Sequence, residues 1–386
     1  MILAGSISIW SILLFIFSIG LLITIHELGH FSMAKLFNVY VNEFSIGFGP
    51  QLFKVKKGET TYSLRAIPLG GYVSMFGEGV EITDGSVPQE RSLLGIKKWK
   101  RAIIMVAGIT LNFVLGFLLF FVNNAFFPQA SITNQVTISE NAFITTVEGS
   151  DIETGDYIIK IDKECTIDYK IITKSGDITS SSDLWSSEYG FTYTDEMLPK
   201  TENDTIKFTV TYVKENTSSD EAKTITFTLL PEKLEDGKLG WQKMGVGQYV
   251  QYKRIGSFGK VMKATFSDFG ESTVLIAKTL GGLFVGKNWD QIGGPVAILS
   301  TSSMVLQNYN FGMYIFLWAS ISVNLAIFNL LPFPGLDGWH LLVVAIEGIT
   351  KKEVPEKVKN IVSAIGMILL FGLMIFVTGR DIIGLF

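Results

Sequence analysis

Residues 7–30, with the sequence ISIWSILLFIFSIGLLITIHELGH, join an uncharged apolar run to a group of polar side chains at its end. A helix of about 20 apolar residues crosses the hydrocarbon of a membrane. In such a helix His26 and His30 lie one turn apart on the same face, a spacing that suits two ligands of one tetrahedral Zn²⁺. Glu27 between them would then act as a general base. A charged group near the bilayer centre costs roughly 2.5–3.5 kcal/mol unless a partner satisfies it. Polar side chains in this position therefore need a purpose, and the pattern predicts a hydrolytic metal site within the membrane.

The composition is that of a membrane protein with a soluble portion. Hydrophobic residues make up 48% of the 386 residues and charged residues 18%, whereas about 25% is usual for charged residues in soluble domains. The mean hydropathy is +0.36. The single cysteine, Cys165, excludes an intramolecular disulfide and a cysteine-rich metal site. Zinc must therefore be held by nitrogen and oxygen. The only histidines are His26, His30 and His340, so the third ligand is His340 or a carboxylate.

Four apolar stretches are long enough to cross the membrane. They are residues 7–30, 102–122, 312–331 and 361–378. The loops after the first and before the fourth are rich in lysine and arginine, which favours a cytoplasmic position for both. Residues 128–250 hold 11 Lys and Arg against 21 Asp and Glu, whereas the rest of the chain holds 21 against 15. This division predicts that the acidic insert lies on the opposite, extracytoplasmic side.

The insert has the pattern of a small β domain. Residues 208–212 and 224–229 alternate apolar with polar side chains, as half-buried strands do. Residues 155–162, GDYIIKID, resemble a characteristic strand of PDZ domains, and residues 238–247 resemble the closing strand of that fold. Residues 171–205 are rich in Ser, Thr and Asp and are expected to form an insertion or mobile loop. The strands alone leave another small β domain possible.

A helix is predicted over residues 254–285, which return the chain to the membrane. Its apolar side chains are interspersed with polar ones. An amphipathic helix on the membrane surface and an ordinary packing helix both fit this pattern.

The helical pattern of the third span breaks at residues 332–338, PFPGLDG. Non-helical backbone at membrane depth is tolerated only where it is buried in protein or lines a wet cavity. Asp337 lies at this break, and a carboxylate completes a catalytic zinc shell of two histidines, one acid and one open position. The first and third spans run in the same direction, so Asp337 and the histidine pair are expected at similar depth.

With these two segments the chain resembles the bacterial site-two-type intramembrane metalloproteases. Residues 26–30, HELGH, match the first motif of that family, and residues 329–338, NLLPFPGLDG, match its N-x-x-P-x-P-x-L-D-G motif. Residues 63–77 are similar to the family's cytoplasmic-side β-hairpin. Residues 108–113, GITLNF, are similar to its G-P-x-x-N-F motif, except that Ile109 replaces the proline. The resemblance covers nearly the whole chain.

The resemblance implies a role for each matching residue. His26, His30 and Asp337 would bind Zn²⁺, and Glu27 would be the catalytic base. The residues implied in substrate binding are Asn329, Asn324, Gly70, Gly71 and Asn112. The residue types alone leave other uses open, because asparagine commonly hydrogen-bonds between membrane helices and a glycine pair can simply form a turn.

The resemblance also implies a fold and an activity. The fold is a polytopic α-helical membrane protein with four transmembrane helices, a cytoplasmic-side β-hairpin and an inserted extracytoplasmic, β-rich PDZ domain. The expected divisions are residues 1–127, 128–250, 251–311 and 312–386. The activity is that of a zinc metalloendopeptidase, performing regulated intramembrane proteolysis in the bacterial cytoplasmic membrane.

The expected partners are the lipid bilayer and single-span proteins already trimmed by another protease, such as anti-sigma factors and remnant signal peptides. Nothing in the sequence resembles a nucleic-acid-binding surface. Two alternatives use the same residues without hydrolysis: a metal transporter, and a non-catalytic membrane PDZ scaffold with a vestigial metal site. No inverted repeat supports the transporter, and the complete ligand set with Glu27 argues against both.

Overall fold

The computed structural model divides the chain into two compact units. It describes residues 8–77, 87–138, 142–167, 170–177, 185–186, 190–191, 198–214, 222–233, 239–242, 246–287 and 292–383. One unit, which we call the membrane unit, comprises Met1–Phe127 and Arg254–Phe386, and the other, the inserted unit, comprises Pro128–Lys253.

The membrane unit is mainly helical. Its elements are α1 (Ile9–Leu36), β1 (Val41–Lys57), β2 (Thr60–Met75), a 3₁₀ turn (Gln89–Arg91), α2 (Lys98–Phe126), α4 (Phe258–Phe284), α5 (Pro295–Asn308), α6 (Phe311–Leu330), α7 (Asp337–Thr350) and α8 (Glu356–Ile383). Within the described residues, α1, α2, α6 and α8 are long and apolar enough to cross a membrane. They coincide with the four predicted spans and are consistent with a polytopic membrane protein. Ile7, the predicted start of the first span, lies outside the described residues.

Small residues bring the central helices close together. A Cβ atom on Gly29 of α1 would overlap the backbone of Ala107 in α2, and one on Gly116 of α2 would lie 2.8 Å from a methyl group of Val323 in α6. Small residues are favoured at helix contacts in membranes because association there depends on close packing. The two contacts make α2 the central helix, packed between α1 and α6.

The helix predicted over residues 254–285 is α4, which packs against α2. Its Phe269 ring contacts Phe113 and Phe117 at centroid distances of 6.0 and 5.7 Å. Asn124 of α2 also donates a 2.6 Å hydrogen bond to Asp268. One face of α4 therefore packs on protein, as expected of a packing helix, while Val274 and Leu275 stay largely exposed. A position of α4 on the membrane surface stays a prediction.

Helix α5 occupies a segment for which the sequence predicts no separate helix, and α7 is the helix that follows the predicted break at residues 332–338. The chain leaves α6 at Leu331 and re-enters a helix at Asp337, because Pro332 and Pro334 cannot continue the hydrogen-bond ladder. A Cβ on Gly338 would overlap the last carbonyls of α6, so the glycine lets α7 start directly beside the end of α6.

A buried group of charges fixes the other half of α7. The fully buried Glu347 accepts a 3.0 Å hydrogen bond from Arg101 of α2 and forms a 2.8 Å ion pair with Lys359 of α8. Its second oxygen also accepts the backbone N–H of Val354 at 3.2 Å. Lys98 donates to the Glu347 carbonyl at 2.5 Å. Helix α7 is thus tied to two neighbouring helices.

Strands β1 and β2 form a folded hairpin. The turn at Gly58 has a φ of 64°, a conformation that glycine adopts easily. Residues 51–57 pair with 60–65, and residues 43–46 lie between 61–64 and 71–74. The hairpin predicted over 63–77 is therefore only the second part of a larger one that starts at Val41. Within the described residues, 71–75 pair on one side only and form an edge.

A charged cluster stabilises this hairpin. Glu43 accepts hydrogen bonds from Ser63 at 2.5 Å, from Arg65 at 2.8 Å and from Tyr72 at 2.8 Å. Burial acts to raise the pKa of Glu43, but these hydrogen bonds outweigh it and lower the pKa to about 2. Glu43 therefore remains ionised at neutral pH and cross-links both halves of β2.

The inserted unit is rich in β-strands. Its elements are β3 (Gln129–Ile138), α3 (Phe143–Thr146), β4 (Tyr157–Ile167), β5 (Lys170–Asp177), β6 (Trp185–Ser186), β7 (Gly190–Phe191), β8 (Thr205–Val213), β9 (Lys223–Leu229), β10 (Pro231–Lys233), β11 (Leu239–Trp241) and β12 (Val246–Lys253). The main sheet has the order β12-β3-β4-β8-β9, with β5 also paired to β4. The buried side chains of β8 and β9, including Phe208, Tyr212 and Phe227, join Trp241 in its core.

Two predictions for the inserted unit are only partly met. Within the insertion or mobile loop predicted over 171–205, residues 171–177 belong to strand β5, because β4 offers them a partner that their own sequence does not reveal. Residues 178–184, 187–189 and 192–197 of that segment lie outside the described residues. The single closing strand predicted over 238–247 lies partly outside the described residues, and its described parts belong to β11 and β12. These strands pair with β10 and β3, respectively.

We predict that Glu347→Ala destabilises the membrane unit strongly. Arg101 would remain buried without its carboxylate, and breaking a buried ion pair in this way costs about 3–5 kcal/mol. The free energy of unfolding in mixed micelles, measured by SDS titration, checks this. Glu353→Ala removes an exposed glutamate from the loop after α7 and is the control. Equal losses in the two variants would contradict the anchoring role of Glu347.

Candidate metal and catalytic site

Three ligand atoms from α1 and α7 converge in the membrane unit. His26 Nε2 lies 3.0 Å from Asp337 Oδ2, and His30 Nε2 lies 3.3 Å from the same oxygen. The two Nε2 atoms are 3.1 Å apart. Both histidines are buried and Asp337 is mostly buried. Among the acidic, histidine and cysteine side chains of the described residues, these three lie close enough together to share one metal ion.

Local structure places each of the three ligands. Helix α1 runs without a break through the HELGH motif, so His26 and His30 project from the same face one turn apart. Asp337 is the first residue of α7, where the exposed N–H groups of a helix N-terminus favour a negative charge. The helix break at residues 332–336 therefore aims a carboxylate at two imidazoles.

This arrangement fits zinc. Atoms bound at about 2.0–2.1 Å to one tetrahedral ion lie about 3.3 Å from each other, close to the three distances between these ligand atoms. Asp337 Oδ2 is buried and faces both Nε2 atoms, but it makes no well-aligned hydrogen bond with any described residue. A buried carboxylate oxygen of this kind requires a partner, and a cation between the three atoms supplies one. The donor atoms are nitrogen and oxygen, as expected for a chain whose single cysteine excludes a cysteine-rich metal site.

The outer nitrogens of the histidines contact α2. His30 Nδ1 lies 2.8 Å from the carbonyl oxygen of Ile104, and His26 Nδ1 lies 3.2 Å from the side-chain amide of Asn112. A Cβ on Gly108 would overlap both imidazole rings. Sequence reasoning did not identify Ile104 or Gly108 as parts of the site. The glycine four residues before Asn112 was a signal for this contact, since both lie on one face of α2.

Glu27 lies between the histidines and the β1–β2 hairpin. It is half-buried, and a Cβ on Gly71 would lie 3.4 Å from its Cγ. Gly71 begins the edge segment 71–75. Gly70 has a φ of 147° and its Cα faces the ring of Phe48. The structure therefore brings Gly71 beside the glutamate, whereas Gly70 lies against Phe48.

The other predicted residues lie at different distances from the ligands. Asn112 is fully buried and contacts His26 directly. Asn324 and Asn329 are half-buried on α6, the helix that leads to the break before Asp337. His340, the alternative third ligand, lies on α7 three residues beyond Asp337 and is not part of the converging group.

Comparisons with known proteins give a consistent result. The model of peptidase family M50 matches residues 14–373. A Clostridium perfringens protein named as a zinc metalloprotease is 33% identical over 377 residues, covering 94% of this chain and 95% of the relative. A Fusobacterium nucleatum protein of similar name is 31% identical, covering 95% and 97%. The Enterococcus faecalis protease Eep is 28% identical over 450 aligned positions, covering 96% and 98%. The similarity therefore extends over nearly the full length of these proteins.

We predict that Asp337→Asn removes zinc from the purified protein, whereas His340→Ala leaves it bound. The asparagine keeps the size of the side chain but loses the charge that offsets the ion. Zinc per chain, measured by atomic emission after gel filtration, should fall towards zero in the first variant alone. If His340→Ala instead emptied the protein of zinc, the third ligand would be assigned wrongly.

Proposed function

This chain belongs to peptidase family M50, and we propose that it cleaves membrane-spanning segments of single-span proteins that another protease has already shortened. As a member of this family it is a zinc metalloprotease of the site-two type, and its substrates are membrane-embedded. The observation that carries the finer proposal is the meeting of His26, His30 and Asp337 beside Glu27 in the membrane unit.

The proposed roles follow from the chemistry of these side chains. His26, His30 and Asp337 hold the ion, and zinc bound there supplies Lewis acidity that polarises a peptide carbonyl and acidifies water. Glu27 accepts a proton from the attacking water at its carboxylate and passes it to the nitrogen of the leaving amine.

The hairpin edge supports a way of holding the substrate. A transmembrane helix hides its amide groups in internal hydrogen bonds, so a cleavable bond must first be unwound. An extended segment gains new hydrogen bonds when it pairs with an exposed strand edge. Residues 71–74 are partly exposed and pair on one side only among the described residues, and Gly71 places the start of this edge against Glu27. We therefore assign Gly70 and Gly71 to substrate binding, with Asn324 and Asn329 on the α6 side.

The arrangement across the membrane is also part of the proposal. Lysine and arginine in the segment between α1 and α2, and in the segment between α7 and α8, support a cytoplasmic position for both. The acidic inserted unit then lies outside the cytoplasmic membrane of a bacterium. Its strands β4, β8 and β9 fit a PDZ domain, which would exclude substrates with large outer domains. Anti-sigma factors and remnant signal peptides meet this size limit once they are trimmed.

We predict that Glu27→Gln abolishes cleavage while zinc stays bound. The amide is similar in size but cannot accept the proton, and loss of a general base typically reduces the rate 10²–10⁴-fold. Purified protein in bilayer vesicles, mixed with a single-span substrate, would be followed by mass spectrometry of the products. Glu90→Gln, which changes an exposed glutamate in the 3₁₀ turn, is the matched control.

The same experiment separates the alternatives. A transporter would move zinc across the vesicle membrane equally well with Glu27→Gln, and a scaffold would bind its partner unchanged. Cleavage that survives both Glu27→Gln and a zinc chelator would overturn the proposed function.

We further predict that Gly71→Val slows cleavage by about 10²-fold without changing zinc content. A Cβ at residue 71 would lie 2.8 Å from the carbonyl oxygen of Ser45 and 3.4 Å from Glu27 Cγ, so the new side chain would shift the hairpin edge relative to Glu27. Misplacing a substrate by about 1 Å has an effect of this size. Thr61→Val introduces the same side chain near the far end of β2 and is the control. Equal rates in both variants would argue against substrate binding at this edge.

A further inference from the structure

The Nδ1 atom of His26, which points away from Asp337, contacts the fully buried side chain of Asn112. The amide of Asn112 is 0% exposed and lies 3.2 Å from His26 Nδ1 through the atom assigned as nitrogen. The other amide atom, Asn112 Oδ1, is buried and makes no hydrogen bond within the described residues. A buried amide in an apolar helix is costly unless its groups are used, so this contact requires an explanation.

Binding of an ion through Nε2 sets a condition on Nδ1. A neutral imidazole carries one hydrogen, and when Nε2 binds a metal that hydrogen must be on Nδ1. The Nδ1–H group of a metal-binding histidine almost always donates to an acceptor that fixes the ring. His30 follows this rule, because its Nδ1 lies 2.8 Å from the carbonyl oxygen of Ile104. His26 needs an equivalent acceptor.

Asn112 supplies that acceptor if its side-chain amide is rotated by half a turn, which exchanges the positions of its oxygen and nitrogen. The amide oxygen and nitrogen are nearly the same size, so the turn leaves the packing unchanged. With nitrogen towards His26, the imidazole must accept at Nδ1 and carry its hydrogen on Nε2, where it would block the ion. With oxygen towards His26, Nδ1–H donates and the Nε2 lone pair is free. The oxygen is held by no hydrogen bond in its present place, so none is lost in turning it.

We infer that Asn112 is a positioning residue: its side-chain oxygen accepts the Nδ1–H of His26 and directs His26 Nε2 at the metal. This inference rests on the proposed metal site and deepens it. It also explains why the asparagine is fully buried behind an imidazole, whereas the sequence analysis expected it to contact substrate.

The surroundings of Asn112 hold it in register with His26. Its backbone carbonyl accepts a 2.8 Å hydrogen bond from Ser322 of α6. Gly108, one turn earlier on α2, removes the side chain that would push the two imidazoles away. Helix α2 continues unbroken through Ile109, so Gly108 and Asn112 stay on the same face. One residue thus connects the ligand helix α1 to α2 and α6.

The test compares zinc affinities of whole protein in detergent. Competition with a chromogenic chelator should give a 10–100-fold weaker affinity for Asn112→Leu and Asn112→Ala, the usual range for loss of such a partner. Asn112→Asp keeps an acceptor at the same place and should restore the affinity to that of the unchanged protein or better. Thr110→Val, on the exposed side of the same turn of α2, should have no effect. The visible spectrum of the Co²⁺-loaded protein should change in the leucine and alanine variants only.

The outcomes separate a positioning role from a structural one. Unfolding temperatures of the metal-free variants should match, because a structural asparagine would lower the temperature without a specific effect on zinc. Affinities within threefold of the unchanged protein for both Asn112→Leu and Asn112→Ala, or no rescue by Asn112→Asp, would overturn the inference. If His26→Ala bound zinc as tightly as the unchanged protein, the proposed metal site itself would fail.

Discussion

Three ligand atoms meet in a part of the molecule built mostly from apolar helices, and each would be unfavourable there alone. The Nε2 atoms of His26 and His30 and the Oδ2 atom of Asp337 lie within 3.3 Å of one another. Asp337 Oδ2 makes no well-aligned hydrogen bond with the described residues. A divalent ion at their centre converts three isolated polar groups into one coordinated unit. The packing of α1, α2 and α7 can be understood as the means of keeping these atoms together.

That convergence depends on backbones that approach unusually closely. Gly29 and Gly108 remove side chains between α1 and α2, so the imidazoles lie directly against α2. Gly338 does the same between α6 and α7, which brings Asp337 near the end of the third span. At the far end of α7, the buried pair of Glu347 and Arg101 prevents the helix from sliding. The ligands are therefore fixed by contacts distant from the metal as well as by adjacent ones.

The same packing sets where an extended chain would pass the site and how the histidine rings are oriented. The edge of the hairpin at Gly71 lies beside Glu27, so an extended chain paired with this edge would pass the proton acceptor. The histidines turn Nε2 towards Asp337, where they would hold the proposed ion, while α2 contacts their outer nitrogens. Under the proposed function, these two features would hold an unwound substrate at the edge and fix the hydrogen positions of the ligands.

The amino-acid sequence by itself determined the features that depend on local spacing. The four spans follow from uninterrupted apolar runs, the one-turn separation of His26 and His30 from helical geometry, and the end of α6 from Pro332 and Pro334. The packing of helix α7 against α6, strand β5 and the contact of Asn112 with His26 required the tertiary structure. Each depends on a partner far away in the chain: Gly338 against the end of α6, β4 beside β5, and α2 against α1. Local patterns fix which atoms a segment can offer, but packing decides which other segment they meet, because that choice depends on the shape of every helix between them.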